Sequence, residues 1–209
     1  VTGAGSGIGA ATAKRFDEEG AAVILVGRTE DKIKKIAAGL SNARTVVADV
    51  GTLEGADDIV REALTFGGIN VLVNNAGIAI GGEIEDVSPD DWQTQMQTNV
   101  FGPYFVTRAA WPHLKTSKGN VVNTSSVSGL GGDWGMLAYN TSKGALSNFT
   151  RALALDGAKH GIRVNAVNPA LTRSDLTEDM MSDGDLLAKF RERMPLGAPA
   201  DAEAVAAVI

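Results

Sequence analysis

The sequence predicts a three-layer α/β fold built on a doubly wound parallel sheet, and two observations carry this. Short apolar runs rich in β-branched residues recur at Ala21–Val26, Arg44–Ala48, Asn70–Val73, Gly119–Thr124 and Gly161–Val167, with helically spaced stretches between them. Parallel strands covered on both faces read as continuous apolar runs, and strands alternating with helices at this rhythm form crossover units. The second observation is the opening segment Thr2-Gly3-Ala4-Gly5-Ser6-Gly7-Ile8-Gly9, which leads straight into an amphipathic helix expected over Ala10–Glu19.

Composition bounds the rest. A chain of 209 residues with 44% hydrophobic residues and a mean hydropathy of +0.02 suits a single domain over 1–209 with a sizeable core. There is no cysteine, which excludes disulfides and thiolate chemistry, and His113 and His160 stand apart, so no metal cluster is expected. A net charge of −6 without a basic run argues against nucleic acid as a partner. No apolar stretch is long enough to span a bilayer, so the expected setting is the cytoplasm. The chain opens at a glycine loop and stops at Ile209 inside a helical pattern, so truncation at both ends is expected.

In order, the glycine segment (Gly3, Ser6, Gly7, Ile8, Gly9) lets backbone approach a diphosphate, and the helix start beyond it offers free N–H groups and a positive dipole end. The next strand ends at Gly27-Arg28, the place where such folds meet the adenosine ribose. An arginine there suits a 2′-phosphate through a charge-assisted contact, so NADP(H) is favoured and NAD(H) remains open; a surface arginine opening the next helix is the alternative. Asp49-Val50 closes the following strand, where Asp49 either accepts from adenine or caps the helix Leu53–Phe66. Asn74-Asn75-Ala76-Gly77 ends the next strand, with small residues that leave room for a flat ring and amides that can lock the strand end. Ser88-Pro89-Asp90-Asp91 starts a helix with a cap, a first-turn proline and acids at the dipole's positive end.

Tyr139 and Lys143 lie four apart on a helix expected over Ala138–Leu155 and share one face. A cation beside a phenol favours the phenolate, so the pair makes an acid/base device. Read alone it is equally a half-exposed tyrosine and a surface lysine. Ser125-Ser126 ends a strand without a nucleophile elbow or a pairing histidine, which argues against a serine hydrolase.

Thr2-Gly3-x-x-x-Gly7-Ile8-Gly9, Asn74-Asn75-Ala76-Gly77 and Tyr139-x-x-x-Lys143 together resemble the signature set of the short-chain dehydrogenase/reductase family, in its order and separations. The resemblance implies a Rossmann-like sheet, an NAD(P)-dependent oxidoreductase acting on a ketone or secondary alcohol, and assembly as a homodimer or homotetramer. It assigns Ser126, thirteen residues before Tyr139, as the hydroxyl that orients the reacting oxygen, leaving Ser125 and Ser128 as structural. It assigns Asn99 to a water-linked proton relay with Lys143; by its neighbours alone Asn99 is a polar residue bonded to backbone. It places Pro169, Ala170, Thr172 and Ser174 at the nicotinamide end, with Ala170 where the family has glycine and Ser174 where it has threonine. A non-catalytic cofactor-binding protein of the same fold is the alternative function.

The substrate pocket is expected to use Ser126, Tyr139, Trp134, Met136 and Leu171, Trp134 being alternatively an anchor of its loop in the core. Residues 170–197, with Leu176, Met180, Met181, Leu186, Leu187 and Phe190 among polar neighbours, suit a lid with an apolar inner face; a plain surface helical pair is the alternative. Pro195–Ile209 is expected to begin the next helix.

Overall fold

Five parallel strands carry the molecule: β1 (Val23–Gly27), β2 (Ala43–Val47), β3 (Val71–Asn74), β4 (Asn120–Thr124) and β5 (Arg163–Val167). The computed structural model describes all residues, Val1–Ile209. Regular pairing forms two pieces, β1–β2 and β3–β4–β5. The opening residues close the seam between them. The Val1 amine donates to Ile24 O at 2.9 Å, and the Ala4 N–H donates to Val26 O at 3.0 Å. On the other side the Thr2 N–H donates to Val73 O at 3.0 Å. The spatial order is therefore β2, β1, Val1–Ala4, β3, β4, β5, a continuous parallel sheet.

Helices cover both faces, as parallel crossovers demand. Alternation along β1 shows the layering: Leu25 packs with Ala13 of α1 (Gly7–Glu18) and Ile33 of α2 (Glu30–Ala37), whereas Val26 faces the opposite core. That larger core joins Ile59 and Val60 of α3 (Leu53–Thr65), Val106, Ala110 and Leu114 of α5 (Gly102–Ser117), and Val121 and Val164 of β4 and β5. The 22-residue α6 (Leu137–Ala158) lies against β5 and presents an unusual inner face, with Ser142, Lys143, Ser147 and Thr150 all buried.

Several boundaries differ from expectation. Helix α1 begins at Gly7, inside the glycine segment, with Ser6 as its N-cap residue. The expected last helix is confined to α9 (Ala202–Ala206), and residues 175–192 form a 3₁₀ turn (Asp175–Thr177), α7 (Glu178–Ser182) and α8 (Gly184–Glu192). Asp183 breaks α7 and restarts the chain by accepting from the N–H groups of Asp185 and Leu186. Between α4 (Pro89–Met96) and α5 the helix widens into one π turn, Gln97–Phe101, a distortion that often marks a functional position.

Buried amides tie strand ends to helices. Asn74 donates to Asn123 Oδ1 at 2.9 Å and to Thr107 at 3.0 Å, and Asn123 donates to Thr150 at 2.8 Å. Thr2 Oγ1 accepts from the backbone N–H groups of both Asn75 and Ala76, each at 3.0 Å. Thr2→Val keeps the shape but strands two donors, each costing about 1–3 kcal/mol when buried. We expect urea unfolding to show a loss of about 2 kcal/mol; an unchanged midpoint would contradict the assigned role of this hydroxyl.

Candidate active site

The C-terminal ends of β1, β3, β4 and β5 open into one cleft of about 460 Å³, the position at which open α/β sheets bind ligands. Its floor at one end is the glycine segment. Gly7 has φ +49, and a side chain there would come within 2.9 Å of Ser174 Cβ. Gly9 lets α1 lie on its own loop, since an added Cβ would sit 2.2 Å from Gly3 O. The Ser6 side chain makes no capping bond, so the first N–H groups of α1 face the cleft without a side-chain partner. Gly27, Arg28, Thr29 and Lys32 line this end too; Arg28 is exposed and makes no ion pair, while Lys32 Nζ lies 2.9 Å from Asp175 in the 3₁₀ turn before α7. That contact holds the Asp175 carboxyl below its ordinary range.

At the other end stand Ser126, Tyr139 and Lys143. Lys143 is buried and its Nζ donates to Thr124 O at 2.7 Å, lying 5.6 Å from the Tyr139 ring centre. The 3₁₀ turn after β4 (Val127–Gly129) packs hard onto α6: a Cβ at Gly129 would meet Lys143 C at 2.5 Å. Ser125 fixes this joint by donating to Lys143 O at 2.9 Å. Asn99, in the π turn, accepts from the Ile78 N–H and donates to Ile78 O, both at 2.9 Å, and donates to Ser142 Oγ at 3.0 Å. Its amide thus grips the segment after β3, helped by Gln95, which accepts from the Ile80 N–H at 2.8 Å. A point at Gly77 lies 3.3 Å from Asn99 Oδ1 and 3.5 Å from Lys143 Nζ, so those two polar groups converge on space that only glycine leaves open.

The electrostatics depart from the simplest expectation for the pair. Burial pushes the Tyr139 hydroxyl above its ordinary value; the neighbouring Ser126 hydroxyl acts the other way, and the Asp133 charge adds to the rise. The Lys143 ammonium is directed at Thr124 O rather than the phenol. Burial drives it from 10.5 down to about 8.

A model of the family described as short chain dehydrogenase matches residues 1–185. The chain belongs to the short-chain dehydrogenase family. This family of oxidoreductases uses nicotinamide cofactors. The chain is 42% identical to the meso-2,3-butanediol dehydrogenase of Serratia marcescens, an alignment covering 100% of this chain and 84% of that enzyme. It is 35% identical to an uncharacterized oxidoreductase of Staphylococcus epidermidis over 98% of this chain and 87% of that protein. Among solved structures, the 3-ketoacyl-(acyl-carrier-protein) reductase of Brucella melitensis complexed with NADH superposes with a TM-score of 0.92 at 32% identity, covering 99% of this chain and 86% of that one. A dehydrogenase/reductase from Sinorhizobium meliloti superposes with a TM-score of 0.92 at 33% identity over 100% of this chain and 84% of that one.

Within this short-chain dehydrogenase most of the expected site residues share the cleft, including Gly3, Ser6, Gly7, Ile8, Arg28, Asn75, Ala76, Gly77, Pro169, Ala170, Thr172 and Ser174. Asp49, Val50, Gly9 and Trp134 lie apart from the cleft lining. Asp49 accepts from the Gly51 N–H at 2.8 Å, and Thr52, not Asp49, caps α3. Val50 is buried in the core against Gly102, outside the cleft lining. Gly9 serves packing of α1 rather than lining the cleft. Trp134 is neither a pocket wall nor a core anchor: it is 71% exposed and lies under the Arg193 guanidinium. Met136 and Leu171 do line the cleft, as do Met180 and Phe190 from the inner face of residues 170–197. The residues missed from sequence are Asp133, Ser128 and Arg193. Their only sequence signal was a carboxylate in a glycine-rich loop six residues before Tyr139.

The depressed lysine has a measurable consequence. Below about pH 8 the ammonium is charged in both folded and unfolded chains and the fold carries the full desolvation penalty; as pH rises from about 8 to 10.5 only the unfolded chain still holds the proton and the penalty disappears. A shift of this size corresponds to about 3 kcal/mol at pH 7. Lys143→Met is therefore expected to be more stable than the native protein at pH 7, by about 1–3 kcal/mol once the lost bond to Thr124 is counted. Chemical denaturation across pH should show the gap closing between about pH 8 and 10.5; a variant less stable at neutral pH would contradict the assignment.

Proposed function

We propose that this chain catalyses reversible oxidation of a small secondary alcohol to a ketone, with NADP(H) favoured over NAD(H), and that Asn99, Ser126, Tyr139 and Lys143 perform it. The observation that carries the reading is the convergence of Ser126, Tyr139 and Lys143 in one cleft with an uncapped helix start and a glycine cradle at its far end. These features fit a dinucleotide: a Cβ on Gly3 or Gly7 would close the cradle, and the open N–H groups of α1 suit a diphosphate. Gly3, Ser6, Gly7 and Ile8 would hold the diphosphate, Arg28 the ribose 2′-phosphate, and Asn75, Ala76, Gly77, Pro169, Ala170, Thr172 and Ser174 the nicotinamide half. The bound nicotinamide accepts or supplies the hydride.

The protein's own groups handle the proton and the orientation. Tyr139 removes the alcohol proton in oxidation and returns it in reduction. Ser126 donates a hydrogen bond to the reacting oxygen, so charge that develops there meets a fixed donor. Lys143 supplies the nearby cation that favours the phenolate. Asn99 and Lys143, both facing the space at Gly77, provide a polar path by which the phenol exchanges protons with solvent. Met136, Leu171, Met180 and Phe190 give the substrate half apolar walls. With the similarity to the Serratia enzyme, this makes a short diol such as meso-2,3-butanediol the first substrate to assay. Assembly as a homodimer or homotetramer in the cytoplasm accompanies this reading.

Tyr139→Phe is expected to lower turnover by ~10²–10⁴-fold, the contribution of a general acid/base, while NAD(P)H fluorescence titration shows nearly unchanged binding. Near-native turnover in that variant would sink the mechanism. Arg28→Ala is expected to raise KM for NADPH about tenfold or more, the scale of a charge-assisted contact, with KM for NADH little changed. Wild-type protein that prefers NADH would show that Arg28 does not read the 2′-phosphate.

A further inference from the structure

Asp133 is a carboxylate sunk into the substrate end of the cleft, its side chain only 7% exposed. Carboxylates are seldom buried unless both oxygens are engaged, and here they are engaged in two directions. Oδ1 accepts from Arg193, just past α8 and 60 residues away in sequence. Oδ2 accepts from Ser128 Oγ. Arg193 also donates to Gly132 O at 3.4 Å and stacks 5.5 Å from the centre of the Trp134 ring. The loop that carries Asp133 is pinned to α6, because Asn140 Nδ2 donates to Asp133 O at 2.8 Å.

The chain of contacts continues to the proposed catalytic groups. A carboxylate only accepts, so the single proton of Ser128 is committed to Asp133. Ser128 Oγ is left as an acceptor and holds the Ser126 hydroxyl proton at 3.0 Å until a reacting oxygen takes it, while the Ser128 N–H donates to Ser126 Oγ at 3.1 Å and keeps that oxygen in place. Ser126 Oγ is thereby gripped from one side, and its other side faces Tyr139.

Resting on the oxidoreductase reading above, we propose that Asp133 is a positioning residue that acts through Ser128 on Ser126, and that Arg193 engages it when residues 170–197 lie over the substrate. Docking of the lid then completes the hydroxyl array and neutralises a negative charge that would oppose the Tyr139 phenolate. The charged groups at this end of the cleft are Lys143 on α6, Asp133 on the loop before α6 and Arg193 beyond α8; Arg28 and Lys32 lie at the opposite end. The direction in which Asp133 moves the Tyr139 hydroxyl, upward, agrees with this.

The test uses the full chain with NAD(P)⁺ and meso-2,3-butanediol or the best alcohol from a panel. Asp133→Asn keeps the shape and removes the charge; Arg193→Gln removes the lid's cation, and Arg193→Lys restores it. We expect kcat to fall about tenfold or more in Asp133→Asn and in Ser128→Ala, with the double variant no worse than the poorer single, and with NAD(P)H binding within about twofold of native. The acidic limb of the kcat profile for oxidation should move to lower pH in Asp133→Asn and to higher pH in Arg193→Gln, and Arg193→Lys should return it towards the native position. Additive losses, limbs that stay put, or limbs that move together would overturn the inference while Tyr139→Phe still upholds the reading beneath it. A wild type with no NAD(P)(H)-coupled turnover on any alcohol or ketone would overturn both.

Discussion

The short segment Val1–Ala4 is the constraint on which the rest depends. It supplies the strand pairing between β1 and β3 that turns two pieces into one sheet. Thr2 does this with its backbone and, with its hydroxyl, collects two N–H groups from the turn after β3. Asn75 answers by donating to Thr2 O at 3.1 Å and Gly3 O at 3.3 Å. The glycine cradle and the small-residue shelf at Asn75–Gly77 are therefore one hydrogen-bonded unit. Neither can shift without breaking buried bonds whose loss is costly.

A second tier of buried polar contacts carries that rigidity to the chemistry. Asn74, Asn123, Thr107 and Thr150 lock β3 and β4 to α5 and α6, and Asn99 clamps Ile78 to Ser142. Such networks rigidify in proportion to how fully they are satisfied, and here Asn74 Oδ1 is the one amide oxygen of the group left without a partner. Placing them beneath the cleft means that Tyr139 and Lys143 project from a helix with little freedom to move. The cost appears as electrostatics: burial disfavours both the phenolate and the ammonium, raising one group and depressing the other to about 8. The neighbouring Ser126 hydroxyl offsets part of this at the phenol, and the charge of Asp133 adds to it. A cation held next to Asp133 is the natural complement, and Arg193 occupies that place.

Much of the architecture was legible because it is written in local patterns. The strand runs at Ala21–Val26, Asn70–Val73 and Gly119–Thr124 needed no tertiary information, since β-branched apolar residues with covered faces have few other uses. Ser88-Pro89 likewise announced α4, and Ser88 Oγ does accept from the Asp91 N–H. What local pattern left open has a common cause. Asp49 stands at a strand end, where a carboxylate can turn to a ligand or to its own backbone; its Oδ1 accepts from the Gly51 N–H, and Thr52 rather than Asp49 caps α3. Trp134 suited either a pocket wall or a core anchor, but it is 71% exposed with the Arg193 guanidinium 5.5 Å from its ring centre. The break at Asp183, which separates α7 from α8, turns on one side chain accepting from two N–H groups.

By itself the sequence determined the class of fold, the glycine cradle, the position of Tyr139 and Lys143 on one helical face, and the family. Each element follows from spacing within about twenty residues, the range over which helical and strand periodicity and turn chemistry act, and the family follows from the resemblance of three such motifs, in order, between Thr2 and Lys143. Tertiary structure alone decided that the opening residues join the sheet, that Lys143 turns its ammonium to Thr124, and that Asp133 meets Arg193 across 60 residues. Those outcomes depend on which groups lose water together when helices and sheet close on one another. Desolvation is a property of the packed neighbourhood, and no local pattern in the chain encodes it.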